Sequence, residues 1–145
     1  MSIKNKALHI PLKKVFLDSD GVHILLASNV GGGSFFILDT GASKSVIDSV
    51  ILEQMEYEKI EVESFESSHI QGMIDGECVQ LSQVQFGDFV CHDFQAVSMS
   101  LEHVNSIYSR FIDEPIAGLL GGDFFDKYKV LINYSDLSMS IQVSM

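Results

Sequence analysis

Short apolar stretches broken every few residues by glycine, aspartate or asparagine dominate this chain, and that rhythm restricts it to a fold built mainly from β-strands. "VFLDSDGVHILLAS" sets two apolar segments around Asp18-Ser19-Asp20-Gly21, a hairpin pattern because Asp-Gly suits turns that need positive φ. "NVGGGSFFIL" repeats the logic, with Gly31, Gly32 and Gly33 joining a strand at 23–28 to one at 35–38. Between Cys78 and Phe86 the inward phase shifts from Val79 and Leu81 to Val84 and Phe86, which predicts a bulge near Ser82 or Gln83. Gly87-Asp88 then marks another hairpin. Helical spacing is confined to short pieces: Val46, Val50 and Ile51 behind Ser45 as a cap, and Leu101, Val104, Ile107, Tyr108 and Phe111. The acidic run after Met55, with Ile60, Val62 and Phe65 alternating with glutamates, reads as a half-buried ribbon with a solvated face. Near the C-terminus, "IAGLLGGDFFDKYKVLINYSDLSMSIQV" reads as a strand, a glycine turn, a short helix capped by Asp123, and two strands meeting at 134–137.

Size and charge narrow what such a chain can do. Its 145 residues suit one domain over 1–145, long enough to bury about two-thirds of the unfolded chain's surface. No apolar run approaches the roughly 20 residues that span a bilayer. The N-terminus has lysines but no apolar core and no small-residue cleavage site, so the expectation is a cytoplasmic protein, or an extracytoplasmic one if a leader has been removed. A net charge of −11 argues against nucleic acid and anionic membrane as partners, because both call for a basic surface.

Most familiar chemistries find no support. Cys78 and Cys91 are too few for a disulfide scaffold and lack zinc-ligand pairing, so both read as buried thiols. The five histidines show no ligand spacing, and no metal or cofactor is expected. The DSDG string lacks the oxygen ligands of a calcium loop, and GGGS lacks the lysine of a phosphate loop and leads into a strand. No Gly-x-Ser-x-Gly elbow is present, and Cys91 and His92, adjacent on a strand, point to opposite faces.

Asp39 stands apart. In "FFILDTGASKSVID" an apolar strand delivers a carboxylate to a turn where Thr40 offers a hydroxyl, Gly41 permits tight backbone geometry and small Ala42 keeps the surroundings open. An Asx-type turn at a strand end is the plain structural reading of three such letters. The wider context goes further: the stretch resembles the active-site loop of retropepsin-like and pepsin-like aspartic peptidases, in which two hydrophobic residues precede Asp-Thr-Gly-Ala/Ser. Those families also carry a hydrophobic-hydrophobic-Gly segment just before a short helix, and Leu119, Leu120 and Gly121 match it. The resemblance runs from about Leu12 to Val143.

That resemblance implies an all-β acid-protease barrel lobe with two or three short helices, and, since Asp-Thr-Gly occurs once, an active site completed by a second copy in a symmetric homodimer. Two carboxylates brought about 3 Å apart share one proton, aspartic proteases being the standing example. One Asp39 would then act as base toward a water while its protonated counterpart polarises the peptide carbonyl, with no covalent intermediate and no cofactor. Thr40 would bond across the interface and Gly41 amides would hold the carboxylates. The substrate would be an extended polypeptide beneath a hairpin flap, for which Gly72, Met73 and Ile74 within "SHIQGMIDGE" are the candidates. This segment has neither the double-glycine tip of retropepsins nor the flap tyrosine of pepsins. The alternative reading is a catalytically silent module of the same fold, used for peptide binding or dimerisation.

Overall fold

The computed structural model describes residues 5–18, 21–61 and 76–144. Eleven strands and three short α-helices are found among them. The strands are β1 (Asn5–Pro11), β2 (Lys13–Leu17), β3 (Gly21–Ser28), β4 (Ser34–Leu38), β5 (Val46–Asp48), β6 (Glu58–Lys59), β7 (Cys78–Phe86), β8 (Phe89–Met99), β9 (Ile116–Leu120), β10 (Leu131–Asn133) and β11 (Ser138–Ser144). The helices, here α1 (Ser49–Leu52), α2 (Glu102–Tyr108) and α3 (Gly122–Lys127), are each less than two full turns long.

Eight strands form one sheet in the order β2-β3-β4-β9-β5-β8-β7-β6. A further pairing of Ser28 with Phe86 joins β3 to β7 and curls the sheet into a closed ring. The Asn29 side chain accepts the Gln85 N–H at 2.9 Å and its own N–H reaches the Gln85 carbonyl, so the seam is bonded on both sides. A smaller sheet, β1-β11-β10, covers one end. The core is aromatic: Phe36, Phe86, Phe94 and Phe124 meet edge to face at 5.1–5.8 Å, the arrangement their ring quadrupoles favour. A second cluster around Leu25, Tyr108 and Ile116 packs α2 onto the other side of the sheet.

Several expected features differ in detail. The segment from Val46 begins as a strand. Residues 46–48 are all buried because β5 lies in the sheet interior, parallel to β8 and antiparallel to β9, and a fully buried strand carries the same apolar run as a buried helix turn. The helix starts only at Ser49, and its cap is Asp48, whose carboxylate accepts the Val50 and Leu101 N–H groups; Ser45 lies a strand away. No single-strand bulge accounts for the phase shift in β7. Leu81 faces Phe94 and Gln83 faces His92 in an unbroken register, and β8 changes phase opposite it, with Asp93 at φ 55°. Among the described residues the acidic ribbon contributes the exposed pair Glu58–Lys59, and Val62 and Phe65 fall outside them.

Candidate functional site

The loop that carries Asp39 begins where β4 ends. β4 runs parallel to β9, with Ile37 beside Leu119 and Leu38 beside Leu120, so the two motifs singled out in the sequence become neighbours through strand pairing. The Asp39 N–H extends that ladder by donating to the Leu120 carbonyl at 2.9 Å. The chain then turns sharply: Ala42 N–H donates back to the Asp39 carbonyl, and Gly41 N–H donates to Asp39 Oδ1 at 3.0 Å. Asp39 is half-buried, while Thr40 and Gly41 are exposed.

Beyond the turn the loop is bonded to α3. Gly122 N–H donates to the Ala42 carbonyl at 2.7 Å and Asp123 N–H to the Ser43 carbonyl at 3.2 Å. Gly121 is needed for that approach: a Cβ at this position would sit 2.7 Å from the Ala42 carbonyl oxygen and 2.9 Å from Lys44 backbone atoms, well inside contact distance. Leu120 is fully buried beneath the loop and Leu119 partly so.

Asp123 has a different part from the one its position suggests. The residue flanking α3 is Gly121, which contributes no capping side chain, and Asp123 sits inside the first turn. Its carboxylate reaches 78 positions back to Ser45: the Ser45 N–H donates to both oxygens at 3.0 and 3.1 Å, and the Ser45 hydroxyl donates to Oδ1 at 2.8 Å. Ser45 Oγ in turn accepts the Gly121 N–H at 3.0 Å. Spacing in the sequence pairs neither residue with the other. Each looks like a helix cap, and only the β4–β9 alignment brings them together.

Behind this loop lies a cavity of about 210 Å³ whose walls include Lys44, Asp123, Tyr128 and Cys91, and a smaller one of about 60 Å³ reaches Cys78 and Ile60. Asp39 borders neither. Both thiols are pushed up from their ordinary range by burial, against a smaller opposing effect of Lys44 at Cys78 and of the Tyr128 hydroxyl and Lys127 at Cys91. A raised thiol is a poor nucleophile, which leaves Cys91 a packing residue 3.4 Å from the Tyr128 hydroxyl. Cys78 is only partly buried, contrary to the expectation for both cysteines. Among the described residues no group of His, Cys, Asp and Glu is placed to hold a metal ion, and no helix is long and apolar enough to cross a membrane. The flap candidates Gly72, Met73 and Ile74 lie outside the described residues.

Comparison with known proteins agrees with this geometry. The chain resembles a retropepsin-like aspartic protease from Rickettsia conorii, with a TM-score of 0.52 over 100% of this chain and 97% of that one. Identity is 13%, so this likeness speaks for the fold alone. No curated protein matches the sequence. The family model for aspartyl proteases matches residues 33–124, more than half of the chain and a span that takes in both the Asp39 loop and the Leu119–Asp123 segment bonded to it. The chain belongs to the aspartyl protease family.

Proposed function

We propose that this protein is an aspartic endopeptidase that hydrolyses polypeptides through a water held between two Asp39 carboxylates, one from each subunit of a symmetric homodimer. The observation that carries the reading is the placement of Asp39. Its carboxylate stands at the head of a loop bonded to β9 on one side and to α3 on the other, partly open to solvent, with Gly41 N–H fixing one oxygen. Asp-Thr-Gly occurs once in the sequence, so a second carboxylate of the same kind must come from a second copy.

In that dimer the two carboxylates share one proton, as aspartic proteases exemplify, and titrate as a unit. The ionised member takes a proton from the water as it attacks the scissile carbonyl, and the protonated member donates to the carbonyl oxygen. When the C–N bond breaks, the carboxyl that took the water's proton gives it to the departing nitrogen, and the other carboxylate takes a proton from the diol hydroxyl, which restores the singly protonated dyad. Thr40, exposed beside Asp39, would bond to its counterpart across the axis, and the small Ala42 would leave room for an extended substrate. Gly72, Met73 and Ile74 remain the proposed flap.

Digestion of an unstructured protein by wild type and by Asp39→Asn tests the reading. Cleavage by wild type, with loss of at least about a hundredfold in the variant, is expected, since proton transfer by a positioned group contributes on that order. Equal cleavage by both would remove Asp39 from the mechanism. Binding of peptides without cleavage by either chain would favour the silent module of the same fold.

A further inference from the structure

We propose that Asp123 is a positioning residue for Asp39, acting through Ser45; this rests on the reading of Asp39 as the hydrolytic acid. Ser45 is completely buried, and its two donors and two acceptors are all engaged: N–H and Oγ–H point at the Asp123 carboxylate, Oγ receives the Gly121 N–H, and the carbonyl receives the Val97 N–H. Asp123 Oδ1 also accepts the Phe124 N–H at 2.8 Å. The Ser45 N–H, the Ser45 hydroxyl and the Phe124 N–H all donate to this side chain. An ionised carboxylate, with acceptor sites only, meets that demand, whereas an amide would set its own donors against those of the backbone.

The consequence for Asp39 follows from chain connectivity. The loop 39–45 is held at its start by the Asp39 N–H to Leu120 bond and at its end by Ser45, and both anchors belong to one continuous stretch, 120–123. Loosening the Ser45 end leaves the turn over Gly41 with its backbone bonds to Leu120, Gly122 and Asp123 but without the buried side-chain anchor at its far end. A reacting group displaced by about 1 Å can lose on the order of a hundredfold in rate, so a small slackening shows in catalysis before it shows in folding. A capping role does not explain the geometry. The carboxylate is directed mainly at a backbone segment in another part of the sequence, and only one of its bonds goes to its own helix.

The test measures kcat and KM on fluorescein-labelled casein, together with melting temperature, for the full-length wild type, Asp39→Asn, Ser45→Ala, Asp123→Asn, the Ser45→Ala/Asp123→Asn double variant, and Ile141→Val. The last destabilises the buried face of β11, which takes no part in the site. Ser45→Ala and Asp123→Asn are each expected to lower kcat by about tenfold or more, with KM changed less than about twofold. The double variant should lose no more than the worse single one, because both act along one path. Ile141→Val should keep its kcat at temperatures where it is folded. If Asp123→Asn fails to fold, Ser45→Ala carries the test, since it removes one oxygen and leaves the backbone bonds to Asp123 in place. Unchanged kcat in Ser45→Ala, or a loss in Ile141→Val as large as that in the site variants, overturns the proposal while leaving the hydrolytic reading intact. Casein cleavage that is absent from wild type, or indifferent to Asp39→Asn, overturns both.

Discussion

Asp39 and Tyr108 show how single side chains in this barrel are fixed by different forces. Asp39 is oriented by backbone N–H groups on an open face, so its chemistry waits on what meets it there. A shared-proton pair requires activity to peak at mildly acidic pH and to fall on both sides, and a hydrolysis rate that stays flat from acid to neutral pH would contradict it. Tyr108 is buried, its ring edge to face with His23 at 5.7 Å and its hydroxyl 2.8 Å from His23 Nδ1. Burial pushes the phenol from 10.0 up to about 12. A pKa raised on folding means that the native state holds the proton longer than the unfolded chain. This contribution is intact below pH 10 and is lost as pH rises through about 12. Thermal unfolding followed across that range should show wild type losing more stability than Tyr108→Phe; parallel curves would place the alkaline transition elsewhere.

Among the elements, β9 does most to build the site, and α2 holds β9 in place. Asn105 on α2 accepts the Ile116 N–H at 2.8 Å and donates to the Ile116 and Leu101 carbonyls at 3.0 and 3.2 Å. Asn105→Ala strands those groups at the start of β9 and is expected to lower stability by about 1–3 kcal/mol, read from the denaturation midpoint. A change below about 0.5 kcal/mol would mean that water replaces the side chain freely. The hairpins at Gly87-Asp88 and 134–137 and the helix at 102–108 were legible in sequence because turn chemistry and helical spacing act within a few residues. β5 was not, since a run buried on both faces has no period to read. Nor was β1: its inward face carries only Leu8 and Ile10 against the core, beside the exposed Lys6, too short an alternation to stand out, and it is a strand because β11 pairs with it from Asn5 to Pro11. The Ser45–Asp123 contact illustrates the same limit at the site. The motifs around Asp39 and Gly121 could be located separately, but their attachment depends on a parallel pairing between strands some 80 positions apart, which no local signal encodes.

At the scale of the whole molecule, the closed ring and its aromatic core give the Asp39 loop a rigid base, with β4 and β9 side by side in the ring. One such lobe presents one carboxylate. On the proposed mechanism it is chemically incomplete until a second copy presents another, and activity is a property of the pair. Mixing subunits probes that dependence without requiring knowledge of the natural substrate. Wild type is held at a fixed amount well above the dimer dissociation constant, Asp39→Asn is added in an equal amount, subunits are allowed to exchange, and casein hydrolysis is measured. Random pairing diverts half of the wild-type chains into mixed dimers that lack one ionisable acid, so the rate should fall to about half and keep falling as more variant is added. A rate that stays at its starting value, with exchange verified by mass, would show that each chain cleaves on its own and would contradict the shared dyad.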